Sequence, residues 1–252
     1  MDKCRGSSRF LIAHRVKPSL PQNAILDTMN GFCVCSPEFT FVQAAAIREL
    51  PKLIEIGCEL CGTYDLSGGG YRECAPLTTV ERLAAFAGAA DGVHGVRKAR
   101  RALRYAAERS ASPRETVLTM LLCLPYGFGG YGIEMPLLNH RVDVVGDARK
   151  MTSKKYCVCD LFWPKANLVI EYEGEESHTG IERVSKDSMR RDALVAMGYT
   201  VITVTKWQIN SGKDINGIAH VVAGRLGKRL RYKDPEFTRK CLELRRLLLG
   251  RE

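Results

Sequence analysis

The stretch CVCDLFWPKANLVIEYEG, residues 157–174, decides the fold class of this chain. Its second half, Asn167–Tyr172, is a short apolar run between Pro164 and Gly174, which is the pattern of a buried strand. Upstream, the segments Pro136–Val145 and Tyr156–Phe162 flank a turn region and also have the spacing of strands. The sequence therefore predicts three consecutive strands around this stretch.

Helical patterns lie on both sides of these strands. Residues 110–124 and 182–197 are predicted helices, and residues 199–205 (YTVITVT) are a predicted strand rich in β-branched residues. The order helix, three strands, helix, strand predicts an α/β domain at residues 110–210. Residues 1–109 form a mainly helical N-terminal region, with helices expected at 40–55 and 96–109. Residues 211–252 are expected to form basic C-terminal helices.

Acidic residues stand on two of the predicted strands. Asp160 is expected at the end of one strand and Glu171 near the end of the next, flanked by Ile170 and Tyr172. A carboxylate on an apolar strand costs free energy unless it is paired or binds a cation. Neighbouring strands lie about 4.8 Å apart, so matched carboxylates could share one divalent ion, and Glu173 points to the same face as Glu171. The alternative is that these acids face solvent and pair with Lys or Arg.

Glu115 has two interpretations. The sequence SPRE, residues 112–115, has the pattern of a capping box, with Ser as the N-cap, Pro at the first helical position and Glu at the third. Glu115 also shares a helix face with Leu118 and Leu122, which directs it toward the core side. The sequence leaves both roles open, a cap for its own helix and a third acid beside the strand pair.

The composition is that of a globular protein with a basic excess. Apolar residues make up 45% of the chain, and no uncharged stretch reaches the roughly 18 to 20 residues of a membrane span. The N-terminus has no apolar segment followed by a cleavage site, so we expect no secretory signal, reduced cysteines and a cytoplasmic protein. The net charge is +10, and residues 201–252 hold 12 basic and 5 acidic residues. This balance favours a polyanionic partner such as nucleic acid over a membrane.

Clusters of basic residues are candidates for contacts with phosphates, which need no reading of base sequence. A solvated basic face is the alternative. Tyr232 and Trp207 have rings that could stack on bases, although Trp207 follows an apolar strand and is expected in the core. The basic candidates are Arg97, Arg101, Arg104, Lys186, Arg190, Arg229 and Arg231.

The ten cysteines also have two interpretations. Cys33, Cys35, Cys58 and Cys61 could supply four thiolates to a zinc ion. The first pair has only one intervening residue, and thiols in reduced proteins are commonly buried. Free buried cysteines are therefore the preferred interpretation over a zinc-stabilised interaction protein.

Several motifs occur together in an order typical of one family. They are SPRE (112–115) before an apolar helix, CDLFWP (159–164), IEYEG (170–174) followed by His178, Arg190-Arg191, and VITVT (201–205). On these motifs, residues 96–210 resemble the very-short-patch-repair-like branch of the PD-(D/E)XK restriction-endonuclease superfamily. Some members of that branch are labelled as abortive-infection type IV antitoxins.

The resemblance implies a restriction-endonuclease-like fold and a DNA phosphodiesterase that depends on Mg²⁺ or Mn²⁺. The helix, hairpin and strand acids of the family would be Glu115, Asp160 and Glu171, and these three would hold the metal. Such an ion lowers the pKa of an attacking water and stabilises the leaving oxygen. Lys186, Arg190 or Arg191 on the following helix would neutralise charge on the phosphate. For Arg191, an i,i+4 ion pair with Asp187 is an alternative.

One departure from the family separates two functions. Glu173 stands where the broader superfamily has a Lys, and the branch that lacks this Lys often has a His soon after, which His178 would match. A solvated loop histidine is the alternative for His178. The leading hypothesis is a Mg²⁺-dependent endonuclease-like enzyme acting on DNA. The second is a non-catalytic nucleic-acid-binding regulator of antitoxin type with the same fold.

Overall fold

The computed structural model of the chain describes residues 19–68, 70–174 and 181–250, and from 181 to 187 it describes the backbone alone. Its N-terminal part consists of two small hairpins and a group of helices. The elements are β1 (Ile25–Asp27), β2 (Cys33–Cys35), α1 (Pro37–Ile47), α2 (Leu50–Leu60), β3 (Tyr64–Asp65), β4 (Arg72–Glu73), α3 (Val80–Ala89) and α4 (Val96–Ala102).

The helix expected over residues 40–55 is two helices in the structure, so that prediction is wrong. Helix α1 ends at Ile47, the next two residues have extended backbone, and α2 carries Pro51 in its first turn. Proline has no N–H to donate, and its ring clashes with the carbonyl four residues earlier. Pro51 therefore starts a new helix instead of continuing the first.

The rest of the chain is the mixed α/β part. It follows the order predicted from sequence for residues 110–205, which is helix, three strands, helix and strand. The elements are α5 (Pro113–Cys123), β5 (Leu137–Asp143), β6 (Tyr156–Trp163), β7 (Leu168–Glu173), α6 (Ile181–Ala196), β8 (Thr200–Thr205), α7 (Lys206–Asn210), α8 (Gly212–Arg225) and α9 (Phe237–Leu249).

Strands β5 to β8 form a four-stranded sheet in chain order. The pairs β5–β6 and β6–β7 are antiparallel, while β7 and β8 are parallel. A tight turn of one 3-10 helix, Pro164–Ala166, joins β6 to β7, and Asn167 completes it with a φ of 46°. Parallel neighbours need a crossover connection, and helix α6 lies within it.

Buried residues form one cluster on each face of the sheet. The smaller cluster packs Leu194 of α6 against Val169 of β7. The larger cluster packs Leu118 of α5 against Leu161 and Ile170, and it continues through helices α1 to α4, α8 and α9. Residues from the three segments 1–109, 110–210 and 211–252 therefore share one core. Within the described residues, none of the helices has the length and apolar character needed to cross a bilayer.

Helix α9 docks closely on the turn that follows α5. Gly129 has a φ of +88°, and a Cβ added there would lie 2.2 Å from the Lys240 carbonyl oxygen. The Cys241 thiol donates to the Gly129 carbonyl oxygen at 3.1 Å. A side chain at position 129 would therefore push α9 away from the body.

We predict that Gly129→Ala destabilises the protein more than Gly227→Ala does. Gly227 also has a positive φ, +68°, but a Cβ there would meet nothing within 4 Å. Both variants carry the cost of a left-handed alanine, about 1–2 kcal/mol, and only Gly129→Ala adds overpacking worth about 1–3 kcal/mol. Urea denaturation measures both free energies of unfolding. Equal losses would show that α9 does not dock at this turn.

Candidate functional site

The sheet divides at the level of Asp160 and Glu171. Pairing between β6 and β7 ends at Leu161 and Ile170. Beyond that pair, β6 continues along β5 as far as Tyr156, and β7 continues along β8 to its last residue. We call this branching point the fork, and its two sides the β5–β6 arm and the β7–β8 arm.

Asp160 stands at the apex of the fork. It is the fifth of eight residues in β6, so the expectation that it ends its strand is wrong. The register nevertheless places it opposite Glu171, one residue beyond the pair Leu161 and Ile170. Its Oδ2 accepts a hydrogen bond from the Tyr172 backbone N–H at 2.8 Å. The carboxylate thus ties the two arms together where the backbone ladder stops.

Glu171 is buried on the α6 side of the sheet, with 7% of its surface exposed. Its Oε2 lies 2.6 Å from the Arg190 guanidinium of α6. Arg190 also donates to the Val158 carbonyl oxygen at 3.3 Å, so it bridges the two arms. The pair offsets the cost of burying the Glu171 charge. Pairing with Arg, one of the alternatives from sequence, thus occurs for Glu171 in a buried setting.

Glu115 caps its own helix and also reaches the sheet. Its Oε1 accepts from the Ser112 hydroxyl at 2.9 Å, and its Oε2 accepts from the Ala111 N–H at 2.9 Å and from the Asn139 amide at 2.6 Å. The register of β5 with β6 places Asn139, which has a φ of 45°, opposite Asp160. Glu115 therefore contacts the sheet at Asn139, in the same row across the strands as Asp160 and Glu171.

The structure does not gather these three acids into one metal-binding group. Within the described residues, no set of three or more His, Cys, Asp or Glu side chains stands close enough together to hold an ion. The reason is that Glu115 belongs to α5 on one face, whereas Glu171 turns toward α6 on the other. Asp160 and Glu171 are the pair with the hard oxygen donors that Mg²⁺ prefers. Their chemistry fits such an ion, and Arg190 holds one of the Glu171 oxygens.

Of the other catalytic candidates, Glu173 lies within the described residues and His178 does not. Glu173 is the last residue of β7, partly exposed and in register with Thr205. It lies two residues from Glu171 and shares its face, as the strand period requires.

Arg191 and Lys186 belong to α6. The Arg191 guanidinium donates to the Thr203 hydroxyl, and Thr203 is in register with Glu171 on the neighbouring strand. Two consecutive arginines of α6 therefore reach the sheet at the level of the fork. The side chains of Lys186 and Asp187 lie outside the described part of the helix.

The remaining basic candidates are exposed on other elements. Helix α4 ends at Ala102, short of the predicted residue 109, so Arg104 lies in the following turn while Arg97 and Arg101 remain helical. The Arg101 guanidinium lies 5.4 Å from the Phe128 ring centroid. The other two, Arg229 and Arg231, lie between α8 and α9 and not on a helix as expected.

Two features at the open end of the fork differ from the sequence-based expectations or lie outside them. A pocket of about 430 Å³ lies beside Arg190, lined also by Lys154, Lys155, Tyr156, Cys157 and Val158. Trp207, expected in the core, is 73% exposed at the start of α7. The signal for its exposure was present, because Thr205 is an N-cap residue that ends the strand alternation before Trp207.

The cysteines of the α2 region are buried thiols. Burial raises the pKa of Cys58 and of Cys61 to about 12, so both stay protonated at neutral pH. The Cys58 sulfur accepts a hydrogen bond from the Ala107 N–H at 3.2 Å. The preference for free buried cysteines is confirmed for these two residues, whereas Cys33 is exposed.

Comparisons with known proteins provide no relative for this chain. No family model matches it, and neither the curated proteins nor the solved structures give a significant match. The resemblance to the short-patch-repair-like branch therefore stays a prediction from the motifs.

We predict that the stabilising effect of Glu115 weakens as the pH rises. Burial raises its pKa above the ordinary value of 4.5, against the opposing hydrogen bonds from Ala111, Asn139 and Ser112. A raised carboxyl pKa gives stability that is complete at low pH and is lost as the pH passes the folded-state pKa. The difference in free energy of unfolding between wild type and Glu115→Gln should therefore shrink as the pH rises above 4.5. Urea titrations at several pH values measure it.

Glu38 provides a control of opposite sign. Burial alone would raise its pKa, but the hydrogen bond from Thr78 and the charge of Arg82 lower it overall from 4.5. A lowered carboxyl pKa gives stability that is present above the unfolded value and is lost as the pH falls. The advantage of wild type over Glu38→Gln should therefore grow as the pH rises. The same trend for both variants would contradict the assignment for Glu115.

Proposed function

We propose that this chain is an endonuclease-like enzyme that hydrolyses phosphodiester bonds in DNA with Mg²⁺ or Mn²⁺, using a restriction-endonuclease-like arrangement of α5 to β8. The observation that carries the proposal is the pair Asp160 and Glu171 at the fork, flanked by two arginines of α6. In phosphoryl transfer, carboxylates bind the divalent cation and arginines neutralise charge on the phosphate. The acidic pair also lies at the point where strands β6 and β7 separate.

Stability alone is a weak reason for this pair. A buried ion pair such as Glu171 with Arg190 often contributes no more than apolar residues of the same size would. Glu171 directly follows Leu168–Ile170, three completely buried apolar residues of the same strand, and is itself buried. Binding of a divalent cation is a better explanation for a carboxylate at this buried position.

The residues of the fork have distinct roles in the proposed reaction. Asp160 and Glu171 would bind the cation through their carboxylate oxygens, with Arg190 sharing the Glu171 carboxylate. A divalent ion in such a place lowers the pKa of bound water and stabilises charge on a leaving oxygen. Arg191, held at Thr203, presents a guanidinium on the same side and would neutralise charge on the phosphate.

A second candidate function has its own observation in favour. Arg190 already neutralises Glu171, and Glu173 adds a negative charge where the related superfamily has a Lys. With that balance, the same fold could bind nucleic acid and not cleave it, as a regulator of antitoxin type. Binding without cleavage is the behaviour that distinguishes this candidate.

We predict that the wild-type protein nicks supercoiled plasmid DNA with Mg²⁺ or Mn²⁺ and that EDTA stops the reaction. The variant Asp160→Asn should lose this activity. The Asn oxygen can still accept the Tyr172 N–H, so the fold is kept while an anionic ligand is removed. The rate should fall by at least the roughly 10- to 100-fold seen when even an outer partner of a metal is changed. Calorimetry with Mn²⁺ should show the matching loss of affinity.

The matched control is Asp147→Asn, a change at a carboxylate that is 87% exposed and pairs with Lys150. It should leave nicking and Mn²⁺ affinity unchanged. Equal activity of wild type and Asp160→Asn would refute the assignment of the site. DNA binding by a folded wild-type protein that nicks nothing with either metal would favour the regulator.

A further inference from the structure

The two arms of the fork end in groups of different chemistry. On the β5–β6 arm, the pocket of about 430 Å³ is lined by exposed Lys154 and Lys155 and by half-buried Arg190, and none of its lining residues is acidic. The Arg141 guanidinium lies 4.0 Å from the Tyr156 ring centroid and pairs with Asp143 at 3.0 Å, so its charge is offset and the two lysines supply the positive charge of the pocket. Clustered ammonium and guanidinium groups of this kind bind phosphate oxygens.

The β7–β8 arm ends in an exposed indole on a rigid support. Trp207 is 73% exposed, whereas Trp163, the other tryptophan, is 2% exposed. Helix α7 is fixed by a capping box, in which the Gln208 N–H donates to the Thr205 hydroxyl oxygen and the Thr205 N–H donates to the Gln208 side chain. Ile209 of the same helix is completely buried. The ring is therefore displayed on an anchored element.

Both groups lie toward one end of the sheet, on either side of the acidic pair. Tyr156 begins β6, and Trp207 lies two residues after Thr205, the residue in register with the last residue of β7. Because β6 runs antiparallel to β7, which is parallel to β8, the start of β6 and the ends of β7 and β8 lie toward the same end of the sheet, on separate arms. Asp160 and Glu171 lie between the two arms.

We propose that the open end of the fork binds an unpaired strand of nucleic acid, with phosphates at Lys154 and Lys155 in the pocket and a base on the indole of Trp207. This inference rests on the proposed function, because it takes nucleic acid as the ligand of the fork. In a duplex, neighbouring pairs cover both faces of each base. An aromatic platform therefore selects single strands, unpaired positions and ends.

The first experiment uses tryptophan fluorescence of the full chain in EDTA, with an oligothymidylate of about 12 nucleotides as the probe. Stacking should quench the Trp207 emission, while buried Trp163 gives a constant background. Trp207→Phe should abolish the quenching and keep the binding. A fully paired duplex of the same length should quench less than the single strand does.

The second experiment measures affinity by anisotropy of a labelled single strand. Trp207→Ala should weaken binding about 5- to 150-fold, the range for loss of one base stack, and Trp207→Phe should retain most of the affinity. Phe32→Ala is the control for loss of an exposed ring, because Phe32 is 57% exposed in the β1–β2 hairpin. It should leave the affinity unchanged.

The third experiment tests the pocket. Lys154→Ala and Lys155→Ala should each lower the slope of log affinity against log salt by about 0.7, the value for one phosphate contact in a single strand. Lys165→Ala is the matched control, since its side chain is 86% exposed at the opposite end of the β6–β7 hairpin. It should leave the slope unchanged.

The outcomes separate this inference from the proposed function. Plasmid nicking that depends on Asp160, together with single-strand binding that neither quenches nor responds to Trp207→Ala, would overturn the inference alone. Equal quenching by a fully paired duplex would overturn the selection of unpaired nucleotides. A change of oligomeric state in Trp207→Ala without loss of affinity would show that the ring docks a second copy. Absence of binding to any nucleic acid would overturn both proposals.

Discussion

The hydrogen bond from the Tyr172 N–H to the Asp160 carboxylate lies where the ladder between two strands stops. On one side of it, β6 and β7 pair as neighbours, and their residues alternate between the two cores. On the other side the strands belong to separate ribbons. A backbone N–H at this junction would otherwise lose its strand partner, and burying it unpaired would cost about 1–3 kcal/mol. The carboxylate supplies that partner and keeps the arms joined at their base.

Arg190 closes the same junction from the α6 side. Its contacts with the Glu171 carboxylate and with the Val158 carbonyl oxygen span both arms. Asp160, Glu171 and Arg190 therefore serve the architecture as well as the proposed chemistry. The Glu171 charge is balanced locally by the Arg190 guanidinium.

The sequence predicts local features of this protein well. The cap at Ser112, the β-branched strand that ends at Thr205 and the strand boundary at Pro164 each depend on residues close together in the chain, and the structure has each as expected. The break between α1 and α2 is local too, because Pro51 marks the start of the second helix in the sequence.

The site itself depends on contacts between distant residues. Asn139 meets Glu115 across 24 positions, and Arg190 meets Glu171 across 19. Neither partner can be identified from spacing, because register and the side of the sheet that each helix covers arise only when the whole domain packs. For the same reason, the sequence could pair Asp160 with Glu171 as acids on neighbouring strands but could not show that the sheet branches at them.

The continuous larger core also has a consequence for how this protein can be divided. Helix α5 is buried from Glu115 to Cys123, and it contacts helices α2 and α9 as well as strand β6. A fragment of residues 110–210 alone would lose the contacts of α5 with α2 and α9. It would expose an apolar patch to water, and such patches drive aggregation. The flanking segments are thus part of the scaffold that holds the fork in shape, and the α/β part is not a module that could be moved to another protein intact.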